Sequence, residues 1–78
     1  MDEIGFLTVI CEDRDLKQIA HVISQNGIEN FADRPFGNIH ILHLTHTEKT
    51  VVRVGSALIG LRNSLPIRIE IIDKDGII

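Results

Sequence analysis

The chain is short of several things that particular functions require. Its 78 residues include one cysteine, no tyrosine, no tryptophan and three phenylalanines. A lone cysteine, Cys11, excludes an intrachain disulfide and a multi-cysteine zinc site, and it rules out the Cys-x-x-Cys pair of a copper chaperone. Only eight residues are Lys or Arg, they are scattered, and the formal net charge is −3. Nucleic-acid binding needs clustered cations or a row of stacking aromatics, so DNA and RNA are not expected partners. No apolar run approaches the roughly 20 residues of a membrane-spanning helix. The opening Asp2-Glu3 is the reverse of a basic leader sequence, so the expected location is the cytoplasm.

What remains is ordinary globular material. Hydrophobic residues make up 44% of the chain and charged residues 24%, enough apolar surface for one core. A core of this size is thin, and with no disulfide or metal to staple it, self-association is the expected supplement. The expectation is one domain covering residues 1–78, working as a homodimer or higher oligomer.

Residues 4–11 (IGFLTVIC) are apolar on both faces, as in a central strand. The polar Glu12-Asp13-Arg14-Asp15 ends that run, and Asp13 or Asp15 is placed to cap the helix expected over about 14–26. There Leu16, Ile19, Ala20 and Ile23 follow the i, i+3, i+4, i+7 spacing, with Val22 widening the stripe. Asn26-Gly27 stops it, the glycine suiting a left-handed C-terminal position, and Ile28 returns to the core. A short edge strand is expected at 29–34, a turn at Arg34-Pro35-Phe36-Gly37-Asn38, and a second firm strand at 38–46 (NIHILHLTH).

Thr47 is the preferred N-cap of a second helix, in which Val51, Val54, Gly55, Leu58 and Leu61 or Arg62 keep helical spacing. Its three valines oppose a helix on propensity. The small Gly55-Ser56-Ala57 patch favours close packing on a sheet. After Asn63-Ser64, Ile67, Ile69 and Ile71 alternate with Arg68 and Glu70, the pattern of a half-buried strand. The tail ends in Ile77-Ile78, a pair suited to packing on a partner.

The order β-α-β-β-α-β, with its two-fold echo, predicts the ferredoxin-like α+β fold. Right-handed crossovers then give a four-stranded antiparallel sheet of order 4-1-3-2 with two helices on one face. The opposite face meets solvent or a partner.

With those elements in place, residues 7–28 (LTVICEDRDLKQIAHVISQNGI) resemble the opening of an ACT domain: an apolar strand, then Asp13-Arg14, Leu16, Ile19, Ile23 and Gly27-Ile28 at comparable places. The motif covers about a quarter of the chain; the rest matches by element order alone. The resemblance implies a small-molecule effector, often an amino acid, held at an oligomer interface near the first loop and helix. Asp13, Arg14, Asp15 and Leu16 are the residues it points to. The loop glycine of the pattern is missing, and carboxylates stand in its place, so the chain reads as a diverged member resembling small stand-alone regulators.

Other chemistry competes with plainer readings. His40, His43 and His46 invite a metal site. In a strand, His43 faces away from His40 and His46, and the latter two are roughly 20 Å apart at about 3.3 Å per residue. Only His43 with His46 would meet, and only if the strand end breaks; nickel-responsive regulators of ACT-like fold with strand histidines keep that alternative in view. Helix packing is the plainer role for His21. Glu12, Asp13 and Asp15 suit a solvated loop and helix cap better than a hard-cation site. Arg34 suits a hairpin turn better than an anion site. Cys11, beside acidic residues, reads as a buried inert thiol. No Ser–His–acid constellation appears, so no enzyme activity and no cofactor are expected. The reading is therefore a ligand-responsive regulatory module. The alternatives are a metal module using His43 and His46, or an interaction subunit docking through a sheet edge or the Ile77-Ile78 tail.

Overall fold

The computed structural model describes residues 3–78. The Asp2 end of the acidic start read against a leader lies outside the described residues. Strand β1 (Ile4–Glu12) runs into a single 3₁₀ turn at Asp13–Asp15 and then helix α1 (Leu16–Gln25). Strands β2 (Ala32–Phe36) and β3 (Ile39–Thr47) form a hairpin, helix α2 (Glu48–Ser64) crosses back, and β4 (Ile69–Asp73) and β5 (Gly76–Ile77) close the chain. The sheet order is β2-β3-β1-β4-β5, antiparallel at every pairing. This is the ferredoxin-like βαββαβ fold in the expected 4-1-3-2 order, extended at one edge by a fifth strand.

The fifth strand is a correction. Asp73-Lys74-Asp75 reads as an exposed tail, yet Gly76 takes φ 116° and lets the chain reverse, so that Ile77 pairs with Ile72 and the Ile78 N–H donates to the Ile71 carbonyl at 2.8 Å. Only glycine enters that backbone region without strain. The hairpin before β3 also differs from expectation. The turn is the pair Gly37-Asn38, with Gly37 at φ 64°, the pattern of a two-residue hairpin loop with glycine first. Pro35 lies inside β2, opposite His40. A proline, which has no N–H to give, is tolerated there because β2 is an edge strand.

Burial follows the predicted periods. Leu7, Val9 and Cys11 of β1, Leu42 and Leu44 of β3, and Ile69 and Ile71 of β4 face the helices and are buried. Ile19 and Ile23 of α1, Val51, Val54 and Leu58 of α2, and Ile28 after α1 complete one core. Thr47 caps α2 as expected, its hydroxyl accepting from the Thr50 N–H at 3.3 Å. Val51 and Val54 are buried while Val52 is exposed, so core burial outweighs the unfavourable helix propensity of β-branched residues. The expected cap of α1 is not made. Asp15 holds the N-cap position without a side-chain cap bond, and Gly27 alone, at φ 107°, behaves as the sequence suggests.

Helix α2 starts hard against β1. The Glu48 N–H donates to the Glu3 carbonyl at 2.8 Å, and a Cβ on Gly5 would overlap the Val51 side chain and approach Glu48 Cα to 2.8 Å. The backbone atom cannot give way. Gly5→Ala is therefore expected to destabilise the protein by about 1–3 kcal/mol, read as a lower urea midpoint at unchanged slope. A midpoint equal to wild type would contradict the close approach.

Candidate functional site

The helix-facing row of β3 runs Leu44, Leu42, His40, so an imidazole occupies the position where the apolar row reaches the end of the sheet. His40 is 9% exposed and stands opposite Cys11 in the β1–β3 register. A polar ring buried to this degree needs partners, and two carboxylates supply them. Nδ1–H donates to Asp33 of β2, 2.9 Å from Oδ1 and 3.1 Å from Oδ2. Nε2–H donates to Asp13 Oδ1 at 2.9 Å. Carboxylate oxygens on both sides of the ring favour its doubly protonated form, and its pKa is raised above the ordinary 6.5 by the hydrogen bond to Asp33 first and that to Asp13 second, against the opposing effect of desolvation.

This bridge ties three segments. Asp33 belongs to the edge strand, His40 to the central pair, and Asp13 to the turn before α1. A backbone bond from the Asp13 N–H to the Asn38 carbonyl at 2.7 Å joins the same turn to the β2–β3 hairpin. Arg14 reaches across its neighbours, with Nε 3.0 Å from Glu12 Oε2 and 3.7 Å from Asp15 Oδ2. Asp15 is turned inward, 9% exposed, and its Oδ2 is buried without a hydrogen bond. Its contact with Arg14 is too long to be one. Cys11 lies beneath these acids; burial first, then the charges of Asp33, Asp15 and Asp13, push its thiol up to about 11.

Glu12, Asp13, Arg14 and Asn38 line a shallow recess of about 230 Å³ at this end of the sheet. Of the four residues read from the sequence as ligand-binding, Asp13 and Arg14 are on its wall. Asp15 points inward, and Leu16 packs against the core. The recess carries two carboxylates, Glu12 and Asp13, around one guanidinium, Arg14, which is engaged by Glu12. His40 and Asp33 were missed as members of the cluster. The signal was there only in part: His40 has the parity of Leu42 and Leu44, which marks it as inward, but nothing in the sequence says that Asp13 and Asp33 meet on it.

The alternative pair is not brought together. His43 is on the open face opposite Thr8, with Nδ1 3.5 Å from the Thr8 hydroxyl, whereas His46 is on the helix side opposite Gly5. Three residues of separation along an unbroken strand put them on opposite faces. Among the described residues no group of three or more His, Cys, Asp or Glu is arranged to hold a metal ion.

Because the folded pKa of His40 lies above its unfolded value, its bonds add stability that is fully present below pH about 6.5 and is lost as pH rises through the raised folded value. Urea midpoints of the wild type should fall across that window, and His40→Gln should remove this part of the slope. An unchanged slope in the variant would dissociate the bridge from the pH dependence. The Cys11 thiol should react with a disulfide reagent at neutral pH no faster than the protein opens; rapid labelling of the native protein would contradict its burial.

No family model matches the chain, and no curated protein matches it. Among solved structures it is similar to a Thermus thermophilus protein described as a candidate PII-like signalling protein, at a TM-score of 0.75 and 16% identity, covering 95% of this chain and 88% of that one. At that identity the likeness is one of fold: two helices over one face of an antiparallel sheet.

Proposed function

We propose that the chain is a stand-alone ligand-responsive regulatory domain, without catalytic activity, that takes a small zwitterionic metabolite such as an amino acid at the loop end of its sheet. The observation that carries this reading is the recess walled by Asp13 and Arg14 and backed by the His40 bridge. Asp13 and Arg14 in one recess match the ammonium and carboxylate of an amino acid, with Glu12 as the partner Arg14 gives up. Neither side chain is fixed deep in the protein, so each can exchange its present partner for a ligand group: Arg14 leaves Glu12, and Asp13 leaves His40.

Two further facts support it. The fold is shared with a protein whose description is signalling, and the ACT-like motif of residues 7–28 leads to the same turn. A shallow recess on one subunit is a weak site, and a second subunit closing over it would give the enclosure that small ligands need. The proposed setting is therefore an oligomer in the cytoplasm, with the effector favouring one arrangement of subunits by binding it better than another.

A thermal-shift series over the free amino acids tests this. A ligand that binds only the folded protein stabilises it by about 2.7 kcal/mol at a concentration one hundred times its Kd, and one or a few amino acids should raise the melting temperature by an amount that Arg14→Ala and Asp13→Asn abolish. A series with no shift, or a shift indifferent to both substitutions, would overturn the assignment and leave protein docking as the reading to pursue.

A further inference from the structure

The helices cover one face of the sheet only. The other face carries Ile4, Phe6, Thr8, Ile10 and Glu12 of β1, Ile39, Ile41, His43 and Thr45 of β3, and their neighbours on the remaining strands. Four large apolar side chains stand far out of it: Ile4 is 68% exposed, Phe6 64%, Phe36 79% and Ile77 76%. Apolar surface of this kind, continuous across a sheet, is the mark of an interaction face.

The charges on that face indicate its occupant. The registers align one row straight across the sheet: Arg34 of β2, Ile41 of β3, Ile10 of β1 and Glu70 of β4. The row reads cation, apolar, apolar, anion. Among the described residues neither Arg34 nor Glu70 belongs to an ion pair. A two-fold axis lying between two stacked sheets and parallel to their strands carries the β2 side of one copy over the β4 side of the other while keeping each row level. The row is then its own complement. Arg34 meets Glu70 of the partner subunit, Ile41 meets Ile10 of the partner subunit, and both contacts occur twice. The rows on either side set Ala32 over Ile72 and Ile39 over Glu12, and the row beyond Thr8 sets Thr45 over Phe6. Sheets stacked in this way lie about 10 Å apart, with strands within about 30° of each other, a common packing.

We infer that the open face of the sheet is covered by a second copy of this chain in an isologous face-to-face dimer, with Arg34 of each copy paired to Glu70 of the other. The inference deepens the oligomer part of the proposed function by naming the face and the register, and it stands or falls without the ligand. A larger protein on the same face would have no reason to find a row that complements itself under a two-fold rotation. A second copy always does.

Light scattering on a sizing column, over a wide dilution series, reads the answer directly. Wild type should run at about twice the 8.7 kDa chain mass. Arg34→Glu places two like-charged contacts in the interface, and so does Glu70→Arg. Each should raise the dimer dissociation constant about a hundredfold. The double variant R34E/E70R restores both pairs with their signs exchanged and should dimerise like wild type. Both side chains are exposed, so far-UV circular dichroism of the single variants should be native, which separates a lost interface from a lost fold. A monomeric wild type, a mass of three or more chains, single variants that still dimerise, or a double variant that stays monomeric would each overturn the inference. None of these outcomes depends on the amino-acid series, so failure here leaves the ligand reading to its own test, and the reverse holds too.

Discussion

Strand β1 bonds on both edges, to β3 along its whole length and to β4 along its second half, and its side chains alternate between two different media. Leu7, Val9 and Cys11 enter the helix-covered core; Phe6, Thr8 and Ile10 look out across the open face. Every other element is placed by this strand. Helix α2 begins where Gly5 permits contact with Val51 and with the Glu48 backbone. The turn before α1 begins where β1 runs out at Glu12. A shift of one residue in the β1–β3 register would exchange the two sets of side chains, put Phe6 and Ile10 under the helices and leave the core row in water. Registers this costly to slip are what allow a 78-residue chain with one core to adopt one structure.

The same alternation explains the site. An inward position at the end of β3 would ordinarily hold another aliphatic residue, as Leu42 and Leu44 do. Placing His40 there exposes the structure to a desolvation penalty that is met only if both ring nitrogens find partners. Asp33 and Asp13 come from segments 20 residues apart in sequence, so the imidazolium acts as a fastener between an edge strand and a loop that have few apolar contacts of their own. Its strength depends on the charge it carries, which makes this corner sensitive to pH and to any competitor for the Asp13 carboxylate.

How far the sequence foretold this follows from what each signal is made of. Strands β1, β3 and β4 and both helices were legible because apolar period alone defines them, and Thr47 and Gly27 because their roles are local. Helix α2 was legible against its own valines because Val51, Val54 and Leu58 kept the spacing that burial rewards. The edge strand β2 was displaced by a few residues because every one of its side chains is exposed, which leaves no period to read, and because Pro35 resembles a turn residue while sitting in a ladder position that asks nothing of its nitrogen. Strand β5 is two residues long, too short for any pattern. The sequence offers Asp13 or Asp15 as a helix cap, but Asp15, at the N-cap position, is buried and makes no side-chain cap bond. The His40 bridge depends on three residues whose meeting is decided by the completed sheet, so no local rule contains it.

The edge strand joins the two proposed roles of the molecule. Asp33 and Arg34 are adjacent on β2, so they point to opposite faces. Asp33 bonds His40 on the helix side, and Arg34 stands in the charged row of the open side. β2 is held to the rest of the sheet by β3 alone, and it has no buried side chain to anchor it. Its position therefore leans on the Asp33 bond. A ligand group that draws Asp13 away from His40 changes the charge balance on that ring and with it the grip on Asp33. The next residue along, Arg34, is the one proposed to pair across the dimer. A ligand at the loop end can bias the association at the open face only by the difference in its affinity for the two arrangements of this strand, and the alternation of Asp33 with Arg34 is the shortest physical path by which such a difference would arise.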